Sequence, residues 1–161
     1  MRKKPGNAPA SLFFALLLFV MPMTLRAEEG AALFRQYCMA CHGEQGVGTA
    51  GLAPPLQNAE LWDALGEDSA RYLLAVMNGG LSGAIRAQGV DYIGLVMPPQ
   101  AHIKPEEREK IARYVLETLN GAQANIASAL EAEIAGASLS HKTLRLARNG
   151  KSGLSHKVAH R

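Results

Sequence analysis

The stretch Cys38-Met39-Ala40-Cys41-His42 decides how the rest of this sequence is interpreted. Its two cysteines are the only ones among 161 residues, they stand three positions apart, and a histidine directly follows the second. On a helix, side chains three positions apart are neighbours on one face. Both thiols can therefore bond to a single flat group, and the imidazole that follows can reach the centre of that group.

This Cys-x-x-Cys-His spacing is typical of the attachment of c-type haem. Each thiol adds across one vinyl group of the porphyrin, and the imidazole of His42 binds the iron. We therefore predict one covalently attached haem per chain, held by Cys38 and Cys41 and ligated by His42. A dithiol redox motif, half of a zinc site or a structural disulfide are the other interpretations of this pattern. They are less favoured, since no second Cys-x-x-Cys and no βαβ pattern accompany the motif.

The composition is that of a globular protein, with 48% hydrophobic and 19% charged residues. These values argue against a wholly disordered chain and against a polytopic membrane protein. Aromatic residues make up only 6% of the chain. A small domain with so few aromatic side chains needs another group to fill its core, and a haem would do so.

The first 27 residues predict a secretory signal peptide. Arg2, Lys3 and Lys4 precede an apolar run over residues 11–20, and the segment ends in the small residue Ala27. Cleavage is expected after Ala27, and an uncleaved membrane anchor is the alternative. The predicted location is the periplasm of a bacterium, where the cysteines escape the reducing cytosol.

The charge is distributed unevenly along the chain. Residues 28–121 hold 7 basic and 12 acidic side chains, whereas residues 122–161 hold 6 basic and 2 acidic ones. The pI near 9.0 therefore comes from the leader and the C-terminal extension, and it does not indicate nucleic-acid binding. The basic extension could contact an acidic partner or an anionic membrane, or it could be a solvated appendage.

Apolar periodicity, glycines and prolines predict an all-α domain of four to five short helices. The predicted segments are a helix over 28–40, a loop over 43–56, helices over 58–66 and 70–78, a small hairpin over 85–92, an extended stretch over 94–99 and a last helix that starts at 105 and ends at 120–121. Residues 122–137 could form a marginal amphipathic helix, and about the last twenty residues are predicted to be disordered.

The iron needs a second axial ligand from elsewhere in the chain. The candidates are Met77, Met97, His102, His141, His156 and His160. Met97 is preferred because the two prolines after it stiffen a segment that must hold a weakly binding thioether. Met77 falls on the apolar stripe of a helix, where methionine is more often a core residue. Met77 and His102 stay open as alternatives. The other nitrogen of His42 also needs an acceptor, and a backbone carbonyl of the loop 43–56 is the natural candidate.

Residues 28–121 resemble a class I cytochrome c of the small, monohaem bacterial kind. The matching residues are Gly30, Phe34, Cys38-x-x-Cys41-His42, Pro54-x-Leu56, Met97-Pro98 and Tyr114. The resemblance implies the cytochrome c fold, in which the first and last helices cross near the glycine and the aromatic residues. It also implies that the carbonyl of Pro54 orients His42. The extension over residues 122–161 has no counterpart in that pattern.

Residues 80–85 and 92–99 resemble a subgroup that includes cytochrome subunits of periplasmic dehydrogenases. The implied function is one-electron transfer from a dehydrogenase to a respiratory acceptor, by an electron carrier that is not itself an enzyme. The expected partners are these two redox proteins, and the membrane is a further contact through the basic extension or an uncleaved leader. The alternative function is a haem-based sensor or small-ligand binder in which Met97 dissociates.

Overall fold

The structure is a computed structural model that describes residues 26–136, 138–150 and 154. The predicted leader lies outside these residues, apart from Arg26 and Ala27. Among the described residues, none of the helices combines the length and apolarity that crossing a bilayer would require.

Helices form most of the domain. In chain order they are α1 over 26–37, α2 over Met39–His42, α3 over Ala59–Leu65, α4 over Ser69–Gly79, α5 over Pro105–Arg113, α6 over Ile126–Ile134 and α7 over His141–Arg148. The strands are β1 over Leu81–Ser82, β2 over Ile85–Ala87, β3 over Val90–Tyr92 and β4 over Val96–Met97. The arrangement is the predicted cytochrome c fold with a small hairpin.

The first predicted helix is interrupted where the cysteines begin. Instead of running unbroken over 28–40, α1 ends at residue 37, and Cys38 stands at φ −117° before the short α2. The amide of Cys38 still bonds to the carbonyl of Phe34 at 2.8 Å, so the chain direction is kept. Gly43, at φ 74°, then ends α2 just after His42.

Helices α1 and α5 cross at Gly30. A Cβ added to Gly30 would lie 2.5 Å from the carbonyl oxygen of Lys110 and 2.9 Å from Cβ of Tyr114. One turn further along α1, the rings of Phe34 and Tyr114 pack with their centroids 5.4 Å apart. This confirms the helix crossing that the resemblance implies, and it explains a glycine in a helix.

Helix α4 is the centre of the core. It packs against α3, α5, α6 and α7. Its side chains are buried nearly all round, and Leu74 is completely inaccessible to solvent. A helix that is buried on all sides needs apolar residues on all sides. The sequence Tyr-Leu-Leu-Ala-Val-Met over 72–77 supplies them.

Two short antiparallel strand pairs follow α4. Strand β1 pairs with β4, with Leu81 opposite Met97. Between them, β2 and β3 form the predicted hairpin, which turns through Gln88 at φ 48° and Gly89 at φ 79°. Two consecutive residues with positive φ are typical of a type I′ turn, in which glycine is favoured. The β1–β4 pair therefore fixes the backbone that carries Met97.

The C-terminal extension is part of the packed domain. Helix α6 packs on α4 and α5 and buries Ile126 and Leu130. The Arg108 guanidinium on α5 forms a buried ion pair with the Glu133 carboxylate on α6. Burial raises the pKa of Glu133, and the charge of Arg108 opposes that shift. The possible amphipathic helix therefore forms, and its apolar side is covered at Ile126 and Leu130 but not at Ile134, which is 64% exposed.

The prediction of disorder is wrong for the described part of the last twenty residues. Helix α7 packs on α3, α4 and β1, and it buries Leu144 and Ala147. Leu154 is also inaccessible, and its amide donates to Oδ2 of Asp68 at 2.7 Å. The segment looked polar in sequence, but a few apolar residues spaced along one face are enough to hold a helix on an existing core. The rest of the predicted disordered tail lies outside the described residues.

We expect Gly30→Ala to lower the free energy of unfolding by about 1–3 kcal/mol, because the new methyl group meets backbone atoms of α5. Urea unfolding of the haem-loaded protein measures this. Gly79→Ala is the matched control, since a Cβ there has no neighbour within 4 Å. Equal effects of the two substitutions would contradict the crossing.

We expect Leu144→Ala to lower the free energy of unfolding by about 2–5 kcal/mol, because it removes a fully buried side chain. The control is Lys142→Ala on the exposed side of the same helix. If both variants unfold at the same urea concentration as the parent chain, α7 does not pack on the domain in solution.

Candidate functional site

An open-mouthed cleft brings together residues from both halves of the sequence. The cleft and the open solvent at its mouth together amount to about 1060 Å³ of space not filled by protein atoms. Cys38, Cys41 and His42 line it from one part of the chain, and Met97 lines it from another. The remaining lining is largely apolar, and the described residues contribute no aspartate or glutamate to it.

The two cysteines are not joined in a disulfide. Burial raises the pKa of Cys38 to about 12, with a smaller contribution from neighbouring Cys41. A dithiol redox motif works the other way, since its attacking thiol has a lowered pKa. Among the described residues there is also no group of three or more histidine, cysteine, aspartate or glutamate side chains that could hold a metal ion. The geometry thus gives no support to the redox-dithiol or zinc interpretations.

The imidazole of His42 is held in one orientation. It is 8% exposed, and its Nδ1 lies 2.9 Å from the carbonyl oxygen of Pro54. Since a carbonyl only accepts, Nδ1 must carry the proton, and Nε2 is left with a free lone pair. Burial lowers the pKa of His42, and the hydrogen bond to Pro54 opposes that shift. The neutral ring is the form that can bind a metal.

The loop that presents the Pro54 carbonyl is closely held. Within it, the amide of Gly48 bonds to the carbonyl of His42 at 2.7 Å, and the amide of Leu56 bonds to the carbonyl of Gly46 at 2.8 Å. The carbonyl of Leu56 accepts from Nε1 of Trp62 at 2.9 Å. It also accepts from the side-chain amide of Asn120, again at 2.9 Å. The orientation of His42 therefore depends on Trp62, the only tryptophan, and on Asn120, which ends the helical segment that continues from α5 over residues 114–120.

Met97 is fixed through its backbone. Pairing of β4 with β1 holds one side, and Pro98 and Pro99 follow directly. A Cβ on Gly80 would clash with the Met97 carbonyl oxygen, so only glycine lets the two segments approach this closely. The Met97 side chain is half-buried and packs against the core at the cleft.

The other candidate ligands lie elsewhere. Met77 is 3% exposed within the core and does not line the cleft. His102 is exposed, with its ring edge-on to Tyr37. His141 is hydrogen-bonded to Ser82 at 2.6 Å, outside the cleft lining. His156 and His160 lie outside the described residues.

Three residues that the sequence analysis did not single out contribute to the site. Asn120 was assigned only to the end of a helix, yet it joins the loop to the segment that continues from α5. Tyr72 and Arg148 both line the cleft, and each has a buried polar atom without a hydrogen-bond partner. A tyrosine among the apolar residues of a helix is a signal from which Tyr72 could have been predicted to lie at the site. The local sequence around Arg148 gives no such signal.

The residues present fit a covalently attached haem. The space is apolar and open at one edge. It offers two thiols for attachment, an imidazole with a free lone pair and a thioether, which is the donor set of His/Met haem proteins. Tyr72 and Arg148 add unpaired polar atoms that a polar group on the ligand would satisfy.

Comparison with known proteins agrees with this fit. The cytochrome c family model matches residues 27–119. One cytochrome c-552 of Thermus thermophilus is 32% identical over 93 residues, which cover 58% of this chain and 62% of that protein. A second Thermus thermophilus cytochrome c-552 is 33% identical over 87 residues, which cover 54% of this chain and 65% of that protein.

The chain thus matches less than two thirds of the length of either relative. The family match alone covers more than half of the 161 residues, and it includes the attachment motif and Met97. The chain belongs to the cytochrome c family, and its cofactor is one covalently bound haem c.

Proposed function

We propose that this chain is a one-electron carrier in which Cys38 and Cys41 attach the haem, His42 and Met97 bind the iron, and the carbonyl of Pro54 orients His42. The observation that carries this proposal is that His42 and Met97 line the same apolar cleft, each on a backbone held in place from two sides. The family match supports a haem-based electron-transfer role.

The chain's part in the reaction would be to hold the iron through His42 and Met97. His42 keeps its proton on Nδ1 through Pro54, so the lone pair of Nε2 stays directed away from that hydrogen bond. Met97 supplies a neutral sulfur, and His/Met ligation raises the reduction potential of a haem. With His42 and Met97 both bound, the iron would have no site for a substrate, and the haem would supply only a change of oxidation state.

Redox partners would meet the mouth of the cleft. Leu52 and Val96 line it and are 47% and 65% exposed. Exposed apolar side chains around a cofactor edge suit a small, transient interface. The proposed donor is a dehydrogenase and the proposed acceptor is a respiratory protein, with the exchange taking place in the periplasm.

The basic extension is a weaker candidate for partner or membrane contact than its charge suggests. Arg145 donates to the Ser82 carbonyl at 2.5 Å, and Arg148 reaches the cleft. Arg145 and Arg148 thus contact the domain itself. On the described part of α7, Lys142 is exposed.

A haem-based sensor would need Met97 to leave the iron. The strand pairing of β4 and the two prolines that follow hold this segment, so no observation favours a dissociable ligand. We therefore propose an electron carrier and not a haem-based sensor.

Met97→Ala tests the ligation. We expect the variant to lose the weak long-wavelength band of the oxidised haem, which comes from the sulfur–iron bond, and to have a lower reduction potential. Met77→Leu is the control, because it alters a methionine that lies outside the cleft. Retention of the band in Met97→Ala, or its loss in Met77→Leu, would contradict the assignment.

Carbon monoxide binding provides an independent check on the same sample. The native ferrous protein should bind it slowly or not at all, whereas the Met97→Ala variant should bind it readily. Rapid binding by the native protein would support the sensor.

A further inference from the structure

Two residues that line the haem cleft each have a buried polar atom without a hydrogen-bond partner. Among the described residues, five buried side-chain nitrogen or oxygen atoms lack a hydrogen bond, and two of them are Oη of Tyr72 and Nε of Arg148. Both residues line the cleft, and Tyr72 is only 3% exposed. A buried polar group without a partner destabilises a fold. Neither atom has a partner among the described protein atoms, so both are free to bond to a group held in the cleft.

The charges of the side chains that line the cleft favour an anionic acceptor. No aspartate or glutamate lines the cleft, and Arg148 is its only lysine or arginine among the described residues. A guanidinium pairs best with a carboxylate, through charge-assisted hydrogen bonds about twice as strong as neutral ones. Haem c has two propionate carboxylates, and these are its only anionic side groups.

Contacts that precede and follow Arg148 in the chain hold it at the cleft. At the start of α7, His141 bonds to Oγ of Ser82 at 2.6 Å. In the middle, Leu144 is fully buried, and the Arg145 guanidinium packs on Gly83. Beyond α7, the carbonyl of Leu154 accepts from Arg71 at 3.1 Å. The placement of Arg148 is thus built into the fold of the extension.

We propose that Arg148 and Tyr72 bind a haem propionate, so that the C-terminal extension contributes a cation to the cofactor site. Arg148 lies beyond residues 27–119, which the family model matches, so the assignment of the family does not provide for it. The site exists only if the haem occupies the cleft as proposed above.

A cation at this position favours the ferrous state. Reduction adds an electron to the haem, and a nearby positive charge stabilises it more in an apolar cleft than in water. Arg148 would also neutralise the propionate, whose negative charge otherwise stabilises the ferric iron. Loss of Arg148 should therefore lower the reduction potential.

Redox titration of the haem-loaded Arg148→Gln chain tests this. At a fixed ambient potential, we expect the ratio of reduced to oxidised haem to fall about three- to tenfold. This corresponds to about 30–60 mV for a one-electron couple. Lys142→Gln removes the same charge from an exposed position of the same helix and should shift the potential far less. Arg148→Lys keeps the charge and should keep most of the potential.

Tyr72→Phe tests the second donor, because it removes the hydroxyl and keeps the ring that packs edge-on to Trp62. If the hydroxyl donates to a propionate, the urea midpoint of the haem-loaded protein should fall. A midpoint that is unchanged or raised would mean that the hydroxyl has no partner there, and would overturn its role. Should Arg148→Gln give no haem-loaded protein, Arg148→Leu is titrated in its place, because it also removes the charge while an apolar side chain fills the space of the arginine stem. A potential equal to that of the native protein would overturn the role of Arg148.

The absorption spectrum separates this inference from the proposed function. If the native protein has the sulfur–iron band, and Arg148→Gln shifts the potential no more than Lys142→Gln does, the propionate site is wrong and the carrier stands. If the native protein lacks the band, the proposed ligation itself fails.

Discussion

The constraint on which the rest of this structure depends is that an imidazole and a thioether, far apart in sequence, must be fixed on one apolar cleft. In the proposed ligation the thioether of Met97 is a neutral and weak ligand, so the backbone that carries it must be held in place. The β1–β4 pair, the close approach at Gly80 and the two prolines after Met97 meet this requirement. On the other side, the hydrogen bond of His42 to Pro54 fixes both the orientation and the tautomer of the ring. The loop, Trp62 and Asn120 hold the Pro54 carbonyl in place.

The crossing of α1 and α5 connects these two sides to the core. Gly30 lets the helices approach, and Phe34 then packs on Tyr114. Helix α1 leads into the attachment motif, and the segment that continues from α5 ends at Asn120, which bonds to the loop. A single tight helix crossing therefore positions both the motif and the loop that orients its histidine.

Much of this could be predicted from the sequence because the signals were local. The Cys-x-x-Cys-His spacing, the glycine and proline boundaries and the Gln88-Gly89 turn each act within a few residues. What could not be predicted depended on contacts distant in sequence. The extension looked polar in sequence, with Lys142, Arg145 and Arg148. It packs nevertheless, because Leu144, Ala147 and Leu154 are buried against the core of the domain. The role of Arg148 could not be predicted for the same reason, since only the packing of α7 brings it to the cleft.

Iron K-edge X-ray absorption of the oxidised, haem-loaded protein tests the central claim most directly, because it counts the atoms bound to the metal. The account predicts five nitrogen neighbours, four from the porphyrin and one from His42, together with one sulfur from Met97. Six nitrogen or oxygen neighbours without sulfur, or a five-coordinate iron, would contradict it.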